Sequence, residues 1–510
     1  MELQDNRMAN DLTSKPLNPD EVLVRIGQMG RFQIRLILII SYIKMALHSI
    51  QLLLETFLAA EPPWRCVSNS SSCNITGSIL PGQNGYKLRC SLHRDQWEFD
   101  TSEMSTIVTE WELVCDRSTL SSITKSVVFA GYMLGMILGG MLADKCGRKP
   151  ISYFPALLCS TLALLASFVN VFWLYALLRG AVGIFTGTSS VSTFVLMMEN
   201  INVKQRAGAA ACSSFAFSIG MMILALLGYF IRDWRILSIT ASLPGFVIIL
   251  FWWFLPESFR WFIVKGKNSK AFESFQKIAK FNGKKMPENE IEFVEESQRV
   301  GDLRDLFRSL HMAKITIAIS FAWIVITMVF YGSSFSAGIF GGNRYLVFFF
   351  MAAVEIPASI SSVFLMNRAG RKKVMSLGLI ISAIASLGAV LLQNNKSNSA
   401  FFVGQIVMTV VSKYFICLAF QVAIVYTTEL FPTVVRSVGF GTASGSGRIG
   451  AICAPFIVWL VRIHILLPYS IFAISAFIAG ILSLTLPETN NKPTKETIEI
   501  NERALNTDKS

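Results

Sequence analysis

Twelve stretches of this chain are each about twenty mostly apolar residues long, enough to cross the hydrocarbon core of a bilayer as a helix. They fall at 32–57, 122–143, 150–169, 171–198, 207–231 and 234–255, then at 315–333, 344–366, 373–392, 400–427, 437–461 and 465–486. Lipid offers no water to a backbone N–H or C=O, so spans of this length must satisfy themselves as helices. The expected class is an all-α membrane protein with twelve transmembrane helices in two six-helix halves. Charge supports this: 15% of residues are charged and 53% hydrophobic, whereas soluble chains carry about 25% charged residues. The net charge of +13 does not imply nucleic acid as a partner. The basic residues crowd the short loops, as the positive-inside rule expects, and no soluble domain remains to read a nucleic acid.

One short basic loop occurs twice, as Asp144-Lys-Cys-Gly147-Arg148-Lys149 and as Asn367-Arg-Ala-Gly370-Arg371-Lys372-Lys373. A charged turn repeated half a chain apart marks a duplicated bundle with both copies on the cytoplasmic face. The expected plan is a cytoplasmic N-terminus (1–31), a first bundle (32–255), a cytoplasmic linker (256–314), a second bundle (315–486) and a cytoplasmic tail (487–510). No cleavable leader is expected, because the first apolar run is long enough to span. The linker carries twelve Lys/Arg against nine Asp/Glu and reads as helical. The loop at 61–121 is expected outside, since it holds the sequons at Asn69 and Asn74, which matter only in the secretory lumen. It also holds Cys66, Cys73, Cys90 and Cys115. Four cysteines in one outer loop suggest two disulfides in any of three connectivities. Their irregular spacing suits no metal site, and none is expected.

The first basic loop, from Gly140 to Lys149, matches Gly-x-x-x-Asp-(Arg/Lys)-x-Gly-Arg-(Arg/Lys), and with it the chain resembles the major facilitator superfamily (MFS). Ser105–Asp116, with its Thr-Glu110-Trp111-Glu motif, resembles the outer-loop sequence of the organic cation, anion and carnitine transporters, solute carrier family 22. Pro256-Glu257-Ser258-Phe259-Arg260-Trp261, Glu429-Leu-Phe-Pro432-Thr433-Val-Val-Arg436 and Leu486-Pro487-Glu488-Thr489 agree. The resemblance implies a plasma-membrane, multi-pass carrier of small organic ions, working by alternating access. It also implies a cytoplasmic gate made of Asp144, Arg148, Glu199 and Arg206 in the first half and of Glu429 and Arg436 in the second. Asn367 stands where the second copy would have its acid, so that latch is expected to be the weaker. Arg179, in Arg-Gly-Ala-Val-Gly183, resembles a further superfamily motif and is a candidate for coupling or for orienting its neighbours.

Ionisable residues inside a membrane are costly and by default face a cavity. Lys44, His48, Gln51 and Glu55 are spaced to share one helical face. They either line the path, with Lys44 and His48 as substrate or proton contacts, or form an internal salt bridge against neighbouring helices. The resemblance supplies further substrate-binding candidates: the aromatics Trp323, Phe330 and Tyr331, the acid Glu355, the base Lys413 and the polar Ser214. Arg448 falls where cation carriers of the family tend to have Asp and where anion and carnitine-type members have Arg. An Arg in a low-dielectric cavity holds a carboxylate through charge-assisted bonds. With Glu355 and Trp323 placed to take an ammonium, the expected substrate is a zwitterion such as a carnitine-like or ergothioneine-like compound. The alternatives are an organic anion, then an organic cation. Outside transport, the alternative is a receptor or sensor on a transporter fold. No Gly-x-x-x-x-Gly-Lys-(Ser/Thr) loop is present, so ATP does not drive this chain; Na+, H+ or an exchange solute would. Neither an enzyme nor a cofactor is expected.

Overall fold

The computed structural model describes residues 17–67, 73, 77–81, 83, 85–102, 104–287, 302–338, 343–392 and 399–490. Its first six spans are α1 (Arg31–Leu58), α2 (Leu120–Cys146), α3 (Arg148–Ala166), α4 (Phe172–Glu199), α5 (Arg206–Phe230) and α6 (Trp234–Phe251). The second six are α7 (Leu310–Phe335), α8 (Arg344–Ala369), α9 (Arg371–Leu392), α10 (Ser399–Leu430), α11 (Arg436–Trp459) and α12 (Leu467–Ser483). Among the described residues eleven spans have membrane-crossing length and hydropathy, and α12 is a shorter apolar helix. The fold is therefore a twelve-helix membrane bundle in two halves.

Close packing in the first half follows from small residues. Gly131, Gly135 and Gly139 recur every fourth residue on α2 and meet the backbone of α4 at Gly180, Ile184 and Thr188. Any Cβ at these glycines would enter the facing helix, so the stripe sets how near the two backbones come. The Gly135 carbonyl also accepts a bond from Thr188 Oγ1 at 3.0 Å.

The loop between α1 and α2 is a small domain of its own. β1 (Trp64–Cys66) pairs antiparallel with β2 (Trp97–Phe99), with Trp64 opposite Phe99 and Cys66 opposite Trp97. Of the three possible connectivities the disulfides are Cys66–Cys73 and Cys90–Cys115. Asn69 and Asn74 lie outside the described residues. The Glu110-Trp111 motif docks this domain on the bundle. The Trp111 ring packs against Phe172, Tyr175 and Trp234, and its Nε1 donates to Asn170 O at 3.0 Å. Glu110 accepts from Trp234 Nε1 at 2.8 Å and pairs with Arg235. Cys90 and Cys115 close a loop over a separation of 25 residues, for which chain entropy gives about 3.5 kcal/mol. Replacing both by Ser is expected to lose roughly that much loop-domain stability, measured as faster limited proteolysis between 61 and 119.

On the opposite face the linker packs under the first half. Its helix Asn268–Asn282 meets the helix Pro19–Gly27, and Asn282 Oδ1 accepts the Phe32 N–H at 2.9 Å at the start of α1. Residues 288–301 of the linker lie outside the described residues.

The halves are drawn together on the cysteine-loop side. Ser122 Oγ donates to Pro455 O (3.3 Å), Ser126 Oγ to Ile452 O (2.7 Å) and Trp459 Nε1 to Ser118 Oγ (3.3 Å). Phe57 stacks on Tyr345 with ring centroids 5.3 Å apart. Together these seal α2 against α11 and α1 against α8.

Candidate functional site

The polar stripe on α1 is split by its own backbone. Lys44–Ser49 form a π turn, which inserts a residue and rotates the remainder of the helix. Beyond it Glu55 and Gln51 face α4 instead of a path. Fully buried Arg179 donates from Nε to Glu55 Oε1 at 2.7 Å, from Nη1 to Gln51 Oε1 at 3.1 Å and from Nη2 to Gln51 O at 2.9 Å. Tyr175 adds its hydroxyl to Glu55 at 2.8 Å. A charge pair this dry holds together only with such additional bonds, and here it fastens α1 to α4. At the start of the π turn, Lys44 lies 5.7 Å from the Phe217 ring and has Tyr132 and Arg448 as polar neighbours. His48 is buried, and neither ring nitrogen has a hydrogen-bond partner among the described residues.

In the second half, Lys413 on α10 points its ammonium at the candidate pocket residues. Nζ lies 3.1 Å from Glu355 Oε1, donates to Phe330 O at 3.0 Å and Ser334 Oγ at 3.1 Å, and sits 3.3 Å from the Phe330 ring centroid. Ser218, one turn along α5 from Ser214, donates to Glu355 Oε2 at 2.8 Å. Ser214 itself bonds back to Ala210 O at 3.2 Å. Glu355 thus does not stand free for a ligand ammonium, and the face of Phe330 already carries a cation. Trp323 is held from Nε1 to Thr427 Oγ1 at 3.0 Å and packs against Phe420 and Phe440.

Arg448 lies between the halves. Its guanidinium carbon is 4.9 Å from the Tyr132 ring centroid on α2, and Tyr331, whose ring packs on Phe129 at 4.6 Å, is a further polar neighbour. It forms no ion pair among the described residues, and its buried Nε has no acceptor there. Arg448 and Lys44 are thus two cations near Tyr132, with no carboxylate within salt-bridge distance of either among the described residues. Two like charges in a dry site repel strongly, and an anion between them relieves that repulsion.

The gate candidates gather at the linker-side ends, and each half builds its own cluster. Arg148 pairs with Asp144 (2.9 Å) and Glu199 (3.1 Å). In the second half the partner of Glu429 is Arg371, whose Nη2 donates to Oε1 at 3.2 Å, in the place expected for Arg436. Arg206 turns to Met198 O at 3.0 Å. No acid stands where Asp144 does, and Asn490 takes an N–H of Arg371 instead. Sequence reading missed the carboxylates beneath these loops, although Leu-Pro-Glu occurs at 255–257 and again at 486–488. Glu257 accepts the Arg148 and Lys149 N–H groups at 2.9 and 3.1 Å, and Glu488 accepts the Arg371 N–H at 2.9 Å. Each caps the start of the helix after the basic loop, where an anion is favoured. Burial pushes the Glu257 carboxyl above its ordinary value, against the pull of those N–H donors and of Arg148.

Gly147 and Gly370 have φ of +104° and +91°, and a Cβ at either would run into its glutamate, Glu257 or Glu488. Gly147→Ala should destabilise the protein by about 1–3 kcal/mol, measured as a melting temperature lower by a few degrees. Gly140→Ala, with nothing within 4 Å of the added methyl, should leave the melting temperature unchanged.

The family model described as "Sugar (and other) transporter" matches residues 77–500. Solute carrier family 22 member 13 of Homo sapiens is 31% identical, across 94% of this chain and 92% of that protein. The organic cation transporter protein of Drosophila melanogaster is 31% identical across 94% of each. Organic anion transporter 3 of Homo sapiens is 30% identical across 94% of this chain and 92% of that protein. Among solved structures, the partially occluded inward open conformation of the xylose transporter XylE from E. coli aligns with a TM-score of 0.63 at 14% identity. That alignment covers 90% of this chain and 98% of that one.

Proposed function

The chain belongs to the sugar (and other) transporter family of the major facilitator superfamily, and within it to solute carrier family 22, and from that premise we propose that it carries small carboxylate-bearing organic anions across the plasma membrane. The termini and linker face the cytoplasm in this reading, and the disulfide-bonded loop faces outward. The two halves rock about a site near the midplane.

The observation that carries the substrate class is Arg448. It stands between the halves, with Lys44 as a cationic neighbour and no carboxylate partner among the described residues, while the buried acid Glu355 is neutralised by Lys413. A carboxylate completes Arg448. A quaternary ammonium finds neither a free acid nor a free Phe330 face, which argues for an anion ahead of a carnitine-like or ergothioneine-like zwitterion and ahead of a cation.

An uptake screen in transfected cells tests this. It compares benzoate, glutarate, carnitine, ergothioneine and tetraethylammonium, each with and without sodium and at two pH values. Saturable uptake of benzoate or glutarate in excess of the other three is expected. Uptake of tetraethylammonium alone would reverse the assignment, and carnitine or ergothioneine as the preferred solute would restore the zwitterion.

A further inference from the structure

Above the seal between the halves lies a cavity of about 420 Å³, roofed by Pro81, Gln83, Gly85, Tyr86 and Lys87 of the disulfide-bonded loop. Its floor is the closed contact itself, with Ser122 and Pro455 among the lining residues, so it is separate from the space around Arg448. Its charge is one-sided. Lys87, Lys125, Arg344 and Arg462 line it, and Glu61 is the one carboxylate among the described lining residues. Lys125 has the Phe335 ring at 5.6 Å and no ion pair among the described residues. Phe57, Phe335 and Trp459 give it apolar walls. The volume is within the range of small-molecule sites, which pair apolar walls with a few placed polar groups.

Glu61 ties the walls together. Its carboxylate pairs with Arg462 beyond α11 and lies 3.4 Å from Arg89 Nη2 in the loop domain, and its carbonyl accepts from Arg344 Nη2 of α8 at 3.3 Å. One residue at the end of α1 thereby holds both the opposite half and the roof.

We propose that this vestibule is a second, outward-facing binding site for organic anions with an apolar body and one or two carboxylates. The ligand carboxylate lies against Lys125 and competes with Glu61 for Arg462 and Arg344. Occupancy therefore loosens the tie between α1 and the second half on the side from which the anion comes. The ligand class rests on the carrier reading above; the site itself rests on the cavity and its charges.

The test is equilibrium binding of radiolabelled glutarate and benzoate, with tetraethylammonium as control, to the full chain purified in lipid nanodiscs. Arg448→Asp is the background, because it removes the midplane carboxylate partner. Glutarate or benzoate binding is expected to persist there, to weaken about tenfold with Lys125→Gln (each tenfold being about 1.4 kcal/mol), and to tighten with Glu61→Gln. Lys87→Gln, on the exposed roof, should weaken it in the same direction without touching the bundle. The proposal is overturned if neither anion binds in the Arg448→Asp background, or if Lys125→Gln and Lys87→Gln both bind as tightly as their parent. Binding here together with no carboxylate uptake by the wild type would sink the carrier reading alone; uptake without this binding would sink the vestibule alone.

Discussion

Arg448→Asp should lower carboxylate uptake by about a hundredfold or more, with the amount of protein at the surface unchanged. A charge-assisted hydrogen bond contributes about 1.5–3 kcal/mol, and each tenfold change in rate or affinity corresponds to about 1.4 kcal/mol. Reversing the charge removes that bond and adds repulsion in a dry cavity. Folding should survive, because Arg448 forms no ion pair among the described residues and its Nε is already without an acceptor there. Arg448→Lys should give an intermediate loss, since the charge stays but the planar fork that matches a carboxylate is gone. Unchanged uptake of every carboxylate by Arg448→Asp would remove this residue from the site.

Arg179→Ala should behave in the opposite way and lose the protein before transport can be measured. It strands Glu55, fully buried, without its partner, and breaking one side of a buried pair costs about 3–5 kcal/mol. A domain is stable by only about 5–15 kcal/mol in total. The expected result is a several-fold drop in monodisperse protein by fluorescence-detected size exclusion. Removing both charges, with Glu55→Leu and Arg179→Met, should recover much of the yield, because no lone charge is left behind. Full yield of Arg179→Ala with transport alone abolished would make the pair part of the moving machinery and not the fastening of α1 to α4.

The spans are legible because lipid demands long apolar runs, and most observed ends fall within a few residues of the expected ones. The exceptions have local causes. α7 begins at Leu310, not 315, because Ser309 caps it by accepting the Met312 N–H. The π turn at Lys44–Ser49 leaves no mark in the hydrophobic pattern, so the spacing suggests one stripe of four polar residues where two separate groups exist. Of the two readings of that stripe, the internal salt bridge describes Glu55, while Lys44 remains beside Arg448. Partners distant in sequence are the least readable. Nothing in either segment indicates that Glu429 meets Arg371, or that Lys413 occupies both Glu355 and the face of Phe330. The outer vestibule is invisible in the sequence because its walls come from five separate stretches of chain, joined only when the disulfide-bonded loop folds over them.

Counterflow in proteoliposomes shows whether this protein moves a carboxylate through a site at Arg448. Purified full-length chain is reconstituted, vesicles are loaded with unlabelled glutarate, and entry of labelled glutarate is compared with that into empty vesicles. Rapid, transient accumulation of label in loaded vesicles is expected, lost with Arg448→Asp and absent when tetraethylammonium replaces glutarate on both sides. Glutarate binding without accelerated entry would describe a receptor on a transporter fold, and accelerated entry of tetraethylammonium alone would place the site in the service of cations; either result would rule out carboxylate transport through Arg448.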